Sequence, residues 1–366
     1  MRKKIIVISG ININQAGPLS VMKDLMTVFS ENKDDNTQII ALVNNKKLYD
    51  YKNVKYLEFP KSKKSWFLRI YYEYFYFKKL SKRLKADLWI SMHDMTPNVE
   101  CDNLYVYCHN ATPYYSPTWK DWIFGSRASL FSYFYSFLYS INIKKNKGVI
   151  VQQDWFRKKL IEKFKLKNVI VAYPDINIDV NNIGSKLSET NVKKIFYPSY
   201  PRSFKNFEVI CEAYKQLLHK EQEKLEIFLT MDKNQNAYAS YIFKKYGKFP
   251  NIHFIGLQTR EKVFEYYRNV DALIFPSKLE SWGLPITEFK IFGKPIILSD
   301  LPYARETLGT YDYGYFFNPE KAEDLAQIFR LLVKNELEVK KVEKIKVDQP
   351  FVEGWKELYD YLLEND

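Results

Sequence analysis

The sequence predicts an α/β protein with two domains, and three observations lead to this fold class. Short apolar runs alternate with helical patterns along the 366-residue chain, which is typical of parallel sheets flanked by helices. Few of the intervening turns look like hairpins. A polar stretch at 174–190, rich in Asn, Asp and Ser, interrupts the pattern as a linker does. We therefore expect two Rossmann-like domains facing each other across a cleft, at 1–180 and 190–350, followed by a terminal helix at 351–366.

Composition restricts the partners and the compartment. The chain carries 56 Lys and Arg against 43 Asp and Glu, a net charge of +13. Such a charge attracts nucleic acid, anionic membranes or phosphorylated substrates. The three cysteines, at 101, 108 and 211, are odd in number and irregularly spaced, which favours a reducing, cytoplasmic compartment.

The first half is expected to form one sheet. Its opening, MRKKIIVISG, is read as a core strand, because the apolar part is about four residues long and too short for a signal peptide. Gly17 precedes Pro18, which opens a helix, and a glycine in that loop lets backbone approach a ligand closely. Strands are predicted at 5–8, 38–43, 54–59, 88–91, 104–108, 149–151 and 169–172.

Two segments of the first half are both basic and aromatic, at 61–85 and 119–147. Each has helical spacing of its aromatic residues and lysines at its ends. Such a helix can lie on an anionic membrane surface, or it can be a domain helix with a solvated basic face, and both interpretations stay open. Two such segments in one half favour a membrane-bound or lipid-linked acceptor there.

The second half repeats the strand–helix pattern, with strands predicted at 195–197, 225–229, 252–255, 272–275, 296–298 and 315–317. The loop at 198–206 carries Arg202 and Lys205 before a helix at 207–218. Cations in a loop at the carboxyl end of a strand can neutralise a leaving diphosphate.

The most informative stretch is DALIFPSKLESWGLPITEFKIFGKPIILSD, at 271–300. A buried strand ends at Pro276, a loop carries Glu280 and Ser281, and Gly283, Leu284 and Pro285 begin a helix. The unpaired amides at that helix start make a site for an anion such as phosphate. Carboxylates beside such a site are suited to sugar hydroxyls, so Glu280 and Glu288 indicate a nucleotide-sugar, which is a substrate rather than a cofactor.

These residues also resemble a known family. Glu280 and Glu288, with seven residues between them that include Gly283-Leu284-Pro285, are similar to the E-x7-E signature of the retaining glycosyltransferases of family four, which have the GT-B fold. The flanking Phe275-Pro276-Ser277 and Gly293-Lys294-Pro295 match as well. The resemblance implies that the terminal helix crosses back onto the first domain.

The resemblance also implies roles for single residues. Glu288 would bind the ribose and Glu280 the donor sugar, while Lys205, Arg202 and the helix from Gly283 would stabilise the leaving diphosphate. Gly256 and Leu257 would contact the base through backbone, and Gly17 would face the donor phosphates. Two histidines follow predicted strands, and His109 matches the family's transfer-centre histidine better than His93. No convincing D-x-D sequence is present, so we expect no metal and no cofactor.

The function expected is therefore transfer of a sugar, with a UDP-sugar favoured as donor, to a lipid-linked or oligosaccharide acceptor. The resemblance points to bacterial capsule or O-antigen synthesis, with the protein peripheral on the inner face of the cytoplasmic membrane. Another GT-B enzyme such as a sugar-nucleotide epimerase is the alternative. A non-enzymatic polyanion-binding protein is a third interpretation, disfavoured because no nucleic-acid module is recognisable.

Overall fold

The computed structural model describes residues 2–14, 16–175 and 191–364. The chain divides into two compact units. The first comprises Met1–Tyr114, Ser132–Asp175 and Val347–Asp366, and the second comprises Tyr115–Phe131 and Ile176–Lys346. The linker predicted at 174–190 lies almost entirely outside the described residues, so the predicted domain bounds stay predictions.

Strands account for the core of each unit. Numbered along the chain, they are β1 (Lys4–Gly10), β2 (Thr37–Val43), β3 (Val54–Glu58), β4 (Leu88–Ser91), β5 (Leu104–Cys108), β6 (Gly148–Val151), β7 (Val169–Tyr173), β8 (Lys193–Tyr197), β9 (Leu225–Leu229), β10 (Ile252–Phe254), β11 (Ala272–Phe275), β12 (Ile296–Ser299), β13 (Gly314–Phe317) and β14 (Phe351–Glu353). The first sheet has the order β14-β7-β6-β5-β4-β1-β2-β3, and the second has β10-β9-β8-β11-β12-β13. The pairs are parallel in both sheets.

Both sheets follow from the apolar runs of the sequence. Every residue of β4, β5, β6, β11 and β12 is buried. Strands buried on both faces are those of a parallel sheet covered by helices on either side. The carboxyl ends of the strands in each sheet therefore lie along one edge, where the loops that follow them can form a site.

The helices connect the parallel strands. They are α1 (Ala16–Asn32), α2 (Trp66–Tyr71), α3 (Phe77–Leu84), α4 (Trp119–Ser140), α5 (Asp154–Phe164), α6 (Phe207–Lys215), α7 (His219–Gln222), α8 (Ala237–Tyr246), α9 (Arg260–Asn269), α10 (Leu284–Lys290), α11 (Pro302–Leu308), α12 (Ala322–Lys334) and α13 (Trp355–Glu364). A π-helical segment, Tyr72–Tyr76, joins α2 to α3.

The end of the chain returns to the first sheet, which confirms the crossing predicted from the family resemblance. The helix was expected to begin at residue 351, but Phe351–Glu353 instead forms β14, parallel to β7. Gly354 follows with φ +93°, and a Cβ there would lie 2.5 Å from the Asp175 carboxylate. That carboxylate accepts the Trp355 amide at 2.8 Å. The strand ends at 353 because this glycine turn and carboxylate cap begin α13.

A membrane-spanning helix is not found among the residues that the structure describes, since none of their helices is both long and apolar enough to cross a bilayer. The basic start of the chain, from Lys4, is part of the central strand β1, between β2 and β4. This agrees with its interpretation as a core strand.

Candidate active site

The loop between β11 and α10 forms the centre of the candidate site in the second unit. Gly283 adopts φ +89°, and a Cβ there would lie 3.0 Å from Ile286 Cδ1. This left-handed conformation favours glycine and turns the chain into α10, which starts at Leu284 with Pro285 in its first turn. The predicted strand–loop–helix geometry of this stretch is therefore present.

Buried polar contacts hold this loop in place. The Trp282 indole donates to Thr287 Oγ1 at 3.0 Å. The Thr307 hydroxyl of α11 donates to the Trp282 carbonyl. On the strand side, the Tyr303 hydroxyl donates to the Ser277 carbonyl at 2.7 Å. Because the loop is tied at both ends to α11, Glu280 and the half-buried Ser281 are carried on a rigid support.

Lys205 and Glu280 form an ion pair, although they lie 75 positions apart in the sequence. Lys205 ends a 3-10 turn, Ser203–Lys205, that follows β8. The side chains are 18% and 14% exposed, so the pair is largely withdrawn from water but not fully buried. The Tyr197 hydroxyl donates to the Lys205 carbonyl at 2.9 Å. The structure thus brings together two residues predicted separately, from two different loops.

Arg202 lies at the start of the same turn, but its environment differs. The side chain is exposed, and its guanidinium carbon lies 5.8 Å from the Tyr200 ring centre and 5.9 Å from that of Phe204. Such stacking on aromatic rings leaves the guanidinium hydrogens available to solvent or to an anion. Arg202 is therefore positioned as a peripheral cation rather than as part of the buried ion pair.

Glu288 lies on α10 and is 8% exposed. Its carboxylate contacts two groups of α9: the Tyr267 hydroxyl donates to Oε2 at 3.2 Å, and Arg260 lies 3.2 Å from Oε1. Burial raises the pKa of Glu288, while the nearby Arg260 charge and the Tyr267 hydrogen bond oppose that rise. The buried carboxylate can accept hydrogen bonds from a ligand in place of the water it has lost.

Lys294 has a structural role that the family resemblance did not assign. Its ammonium donates to the carbonyls of Tyr267 at 3.2 Å, Arg268 at 2.6 Å and Val270 at 2.7 Å. A lysine at a helix carboxyl end satisfies carbonyls that lack partners within the helix. Lys294 thereby fixes the end of α9, which carries the tyrosine that contacts Glu288.

Gly256 and Leu257 follow β10. Gly256 adopts φ +70°, with open space around the position of a Cβ, and its amide donates to the Met231 carbonyl at 3.1 Å. Leu257 is 58% exposed. An exposed apolar side chain beside accessible backbone is a suitable surface for a flat base. Residues 256–259 lead directly into α9, which begins at Arg260.

In the first unit, His109 follows β5 and is organised around Asp94. The buried Asp94 carboxylate accepts the amides of His109 at 2.7 Å and Asn110 at 2.9 Å. It also accepts the Tyr139 hydroxyl at 2.7 Å. The His109 Nε2 atom lies 3.6 Å from Asp94, and the ring is 22% exposed. His109 is thus a partly accessible imidazole oriented by a buried carboxylate.

His93, unlike the partly accessible His109, is buried. His93 Nε2 lies 2.8 Å from the Glu73 carboxylate, and both side chains are buried. Burial raises the pKa of Glu73 to about 8 and lowers that of His93, so an uncharged pair is favoured.

Gly17, expected in a loop, lies in the first turn of α1, and a Cβ there would meet nothing within 4 Å. Close packing thus does not require this glycine.

Comparison with known proteins assigns the family. Residues 181–347 match the family described as glycosyl transferases group 1. The carboxy-terminal half of the chain belongs to the group 1 glycosyltransferases. This confirms the family predicted from the E-x7-E stretch, and we refer to this half as the glycosyltransferase domain.

Individual relatives are distant. An N,N'-diacetylbacillosaminyl-diphospho-undecaprenol alpha-1,3-N-acetylgalactosaminyltransferase of Campylobacter jejuni is 22% identical over 226 residues, which are 58% of this chain and 58% of the relative. The lipopolysaccharide outer core galactosyltransferase WaaB in its apo form has a TM-score of 0.64 at 13% identity, over 92% of this chain and 91% of that one. HepE of Anabaena in complex with UDP-glucose has a TM-score of 0.61 at 13% identity, over 98% of this chain and 94% of that one. These likenesses confirm the GT-B fold.

Sequence reasoning missed residues in both units that contact the predicted site residues. Tyr267 and Arg260 contact Glu288, yet their positions in α9 look like ordinary helix residues. In the first unit, Asp94, which accepts the His109 amide, was missed as well. One signal was available: Asp94 adopts φ +69°, a conformation in which aspartate is enriched, and it directly follows a strand-end histidine.

Proposed function

We propose that this protein is a retaining glycosyltransferase that moves a sugar from a nucleotide-sugar, with a UDP-sugar favoured, to a glycan acceptor. The observation that carries the proposal is the Lys205–Glu280 ion pair. It places a fixed cation and a hydrogen-bond acceptor side by side in the glycosyltransferase domain. A diphosphate needs the first of these groups and a sugar needs the second.

In the proposed reaction, the bond from the anomeric carbon to the diphosphate oxygen breaks. The acceptor hydroxyl oxygen bonds to that carbon on the same face, and its proton passes to the departing diphosphate. Lys205 and Arg202, with the first amides of α10, stabilise the charge that develops on the leaving group. Glu280 holds sugar hydroxyls and Glu288 holds the ribose. For His109, in the first unit, a role in binding the sugar stays a prediction from the family resemblance.

The preference for a uridine nucleotide rests on the relatives. The HepE structure contains UDP-glucose, and the Campylobacter jejuni relative is named as an N-acetylgalactosaminyltransferase that acts on an undecaprenol-linked sugar. The alignment covers 58% of that relative. A lipid-linked acceptor and a role in surface polysaccharide synthesis are parts of our proposal that follow from that name and from the surface described below.

Nucleotide binding tests the proposal directly. UDP, GDP, CDP and ADP are titrated into the purified protein by calorimetry without added metal. We expect UDP to bind in the micromolar range and more tightly than the others. Micromolar binding of a different nucleotide would support the proposed glycosyltransferase activity and would replace UDP by that nucleotide in the proposed donor. Absence of binding by all four would count against the enzyme and for a non-enzymatic polyanion-binding protein.

The first unit also carries an apolar surface that supports a membrane-associated acceptor. We call it the aromatic surface, and it consists of Trp66, Phe67, Tyr71, Phe75, Phe134 and Phe137, which are exposed by 38% to 85%. The Trp66 and Phe134 ring centres lie 6.2 Å apart, so α2 and α4 contribute to one patch. Exposed lysines precede it at 61, 63 and 64 and follow it at 78 and 79. Aromatic residues flanked by lysines fit an anionic phospholipid surface.

We predict that the protein binds vesicles of anionic phospholipid through this surface. Each lysine near an anionic surface contributes about 1 kcal/mol to binding, so a Lys61→Glu/Lys63→Glu/Lys64→Glu variant should lose at least about tenfold in affinity. The matched control is Lys340→Glu/Lys341→Glu/Lys344→Glu, which makes the same change of charge in the second unit. Sedimentation with anionic and neutral vesicles measures the effect. Equal losses in the two variants would show that net charge alone drives binding and would remove the surface from the proposal.

A further inference from the structure

A segment encoded in the amino-terminal half packs within the second unit. Residues 115–124, which we call the crossing segment, were expected to belong to the first domain at 1–180. They cluster instead with the glycosyltransferase domain, in the stretch Tyr115–Phe131. The last residues of the segment, 119–124, form the start of α4, which begins at Trp119.

The buried carboxylate of Asp121 connects the crossing segment to the Lys205 turn. It is 5% exposed. One oxygen accepts the Tyr115 hydroxyl at 3.0 Å and both the amide and the hydroxyl of Thr118 at 2.6 Å. The other oxygen accepts the Ser203 hydroxyl. The first oxygen therefore organises the crossing segment itself, and the second reaches a different part of the chain.

Ser203 is the first residue of the 3-10 turn that ends at Lys205. The Lys205 amide donates to the Arg202 carbonyl at 2.9 Å, and the Asn206 amide donates to the Ser203 carbonyl at 3.0 Å. The Tyr115 ring centre lies 5.9 Å from that of Phe204 in the same turn. The crossing segment thus contacts two consecutive residues of the turn whose third residue is the proposed phosphate-binding lysine.

A second set of contacts anchors the crossing segment next to this turn. Lys120 pairs with Glu208 in the first turn of α6, and the Phe124 ring centre lies 5.0 Å from that of Tyr241 on α8. Burial disfavours ionisation of Glu208, but hydrogen bonds from Lys120 and Tyr241 lower its pKa overall. The segment is therefore held to the domain independently of Ser203, so the Asp121 carboxylate has a fixed position from which to hold the turn.

We propose that Asp121 is a positioning residue for Lys205, acting through the Ser203 hydroxyl, so that the donor site is completed by the crossing segment. This inference rests on the proposed function, because it takes Lys205 as the cation that binds the donor diphosphate. The physical reason is that a charge-assisted hydrogen bond to a buried carboxylate is directional. It restricts the start of a three-residue turn, and the ammonium is carried at the end of that turn.

Ser203→Ala tests the proposal because it removes the contact to the turn and leaves the Asp121 contacts to Tyr115 and Thr118 intact. We expect UDP affinity to fall about three- to tenfold. Thr118→Ala is the matched control, since it removes a hydroxyl from the other oxygen of the same carboxylate and leaves Ser203 bonded. It should retain UDP affinity. Ser203→Thr keeps a hydroxyl and should restore most of the binding.

A double variant separates positioning from general stability. In a Lys205→Ala background, Ser203→Ala should have no further effect on UDP affinity, because the group that it positions is absent. If the two losses simply multiply, Ser203 acts on the domain by another route and the proposal is overturned. Equal losses of UDP affinity in Ser203→Ala and Thr118→Ala would overturn it as well.

Hydrogen exchange keeps the test independent of nucleotide binding. The amides of Lys205 and Asn206 should exchange faster in Ser203→Ala than in the wild-type protein and in Thr118→Ala. Unchanged exchange at these amides would overturn the positioning role even if the protein binds UDP. Faster exchange at these amides in Ser203→Ala, in a protein that binds no nucleotide, would support the positioning of the turn by Asp121 and would refute the proposed function. The failure of the inference and the failure of the proposed function are therefore distinguishable.

Discussion

Replacing Lys205 by alanine should lower kcat about 10²- to 10³-fold, which is the loss caused by removing one group that stabilises developing charge in an active site. Lys205 is held by its ion pair with Glu280 and by the bond from Tyr197 to its carbonyl. It is therefore preorganised before the donor arrives. The loss should appear mainly in kcat, because the diphosphate gains negative charge as the glycosidic bond breaks.

The measurement is steady-state transfer from the donor identified by calorimetry. Lys278→Ala is the matched control, because Lys278 is also 18% exposed and also paired with a glutamate, Glu320. It should retain kcat within about twofold, as expected for a surface pair of small net contribution. A Lys205→Ala protein with near-normal kcat and an unchanged melting temperature would exclude Lys205 from the reaction.

Replacing Glu288 by glutamine should weaken nucleotide binding about 10- to 100-fold, the range for losing hydrogen bonds to a charged acceptor. The amide is nearly the same size, so the packing of α10 should persist. The carboxylate accepts from ligand hydroxyls with either oxygen, whereas the amide accepts with one and donates with the other. Calorimetry with UDP measures the change. Glu221→Gln is the control, because Glu221 is also 8% exposed, lies on α7 and should leave UDP affinity unchanged.

The same substitution has an effect on stability that depends on pH. Because burial raises the pKa of Glu288, its ionised form is less stable in the folded protein than in the unfolded chain. That cost is present when the carboxylate is charged and disappears as pH falls and the group becomes protonated. Glu288→Gln should therefore be at least as stable as wild type at pH 8, and this relative advantage should shrink towards pH 4. Thermal unfolding of both proteins across that range measures the difference in stability. A Glu288→Gln protein much less stable than wild type at pH 8 would contradict the prediction.

The stretch at 271–300 was predictable because its geometry is local. An apolar run ended by Pro276 makes a buried strand, a glycine with positive φ turns the chain, and Pro285 fits the first turn of a helix. Glu280 and Glu288 are then placed by elements close to them in sequence. The parallel sheets followed for a similar reason, since short apolar runs separated by helices have few other ways to bury themselves.

The partners of these glutamates were not predictable in the same way. Glu280 meets Lys205 from a loop 75 positions earlier, and Glu288 meets Tyr267 from a neighbouring helix. Tyrosine and arginine at helical spacing look the same whether they face solvent or a carboxylate. The role of Lys294 at the end of α9 was hidden for the same reason, because a lysine in a turn gives no sign of the carbonyls it will meet.

The amino-acid order was sufficient for the fold class, the strand and helix elements and the family, because apolar periodicity, breakers and the spaced glutamates act over a few residues at a time. Three features depended on the folded chain: the β14 strand before α13, the crossing segment that packs with the second unit, and the Asp121 contact to the Lys205 turn. Each joins residues that are far apart in sequence. Such contacts are selected by the burial and hydrogen bonding of the whole molecule, and no local pattern encodes them.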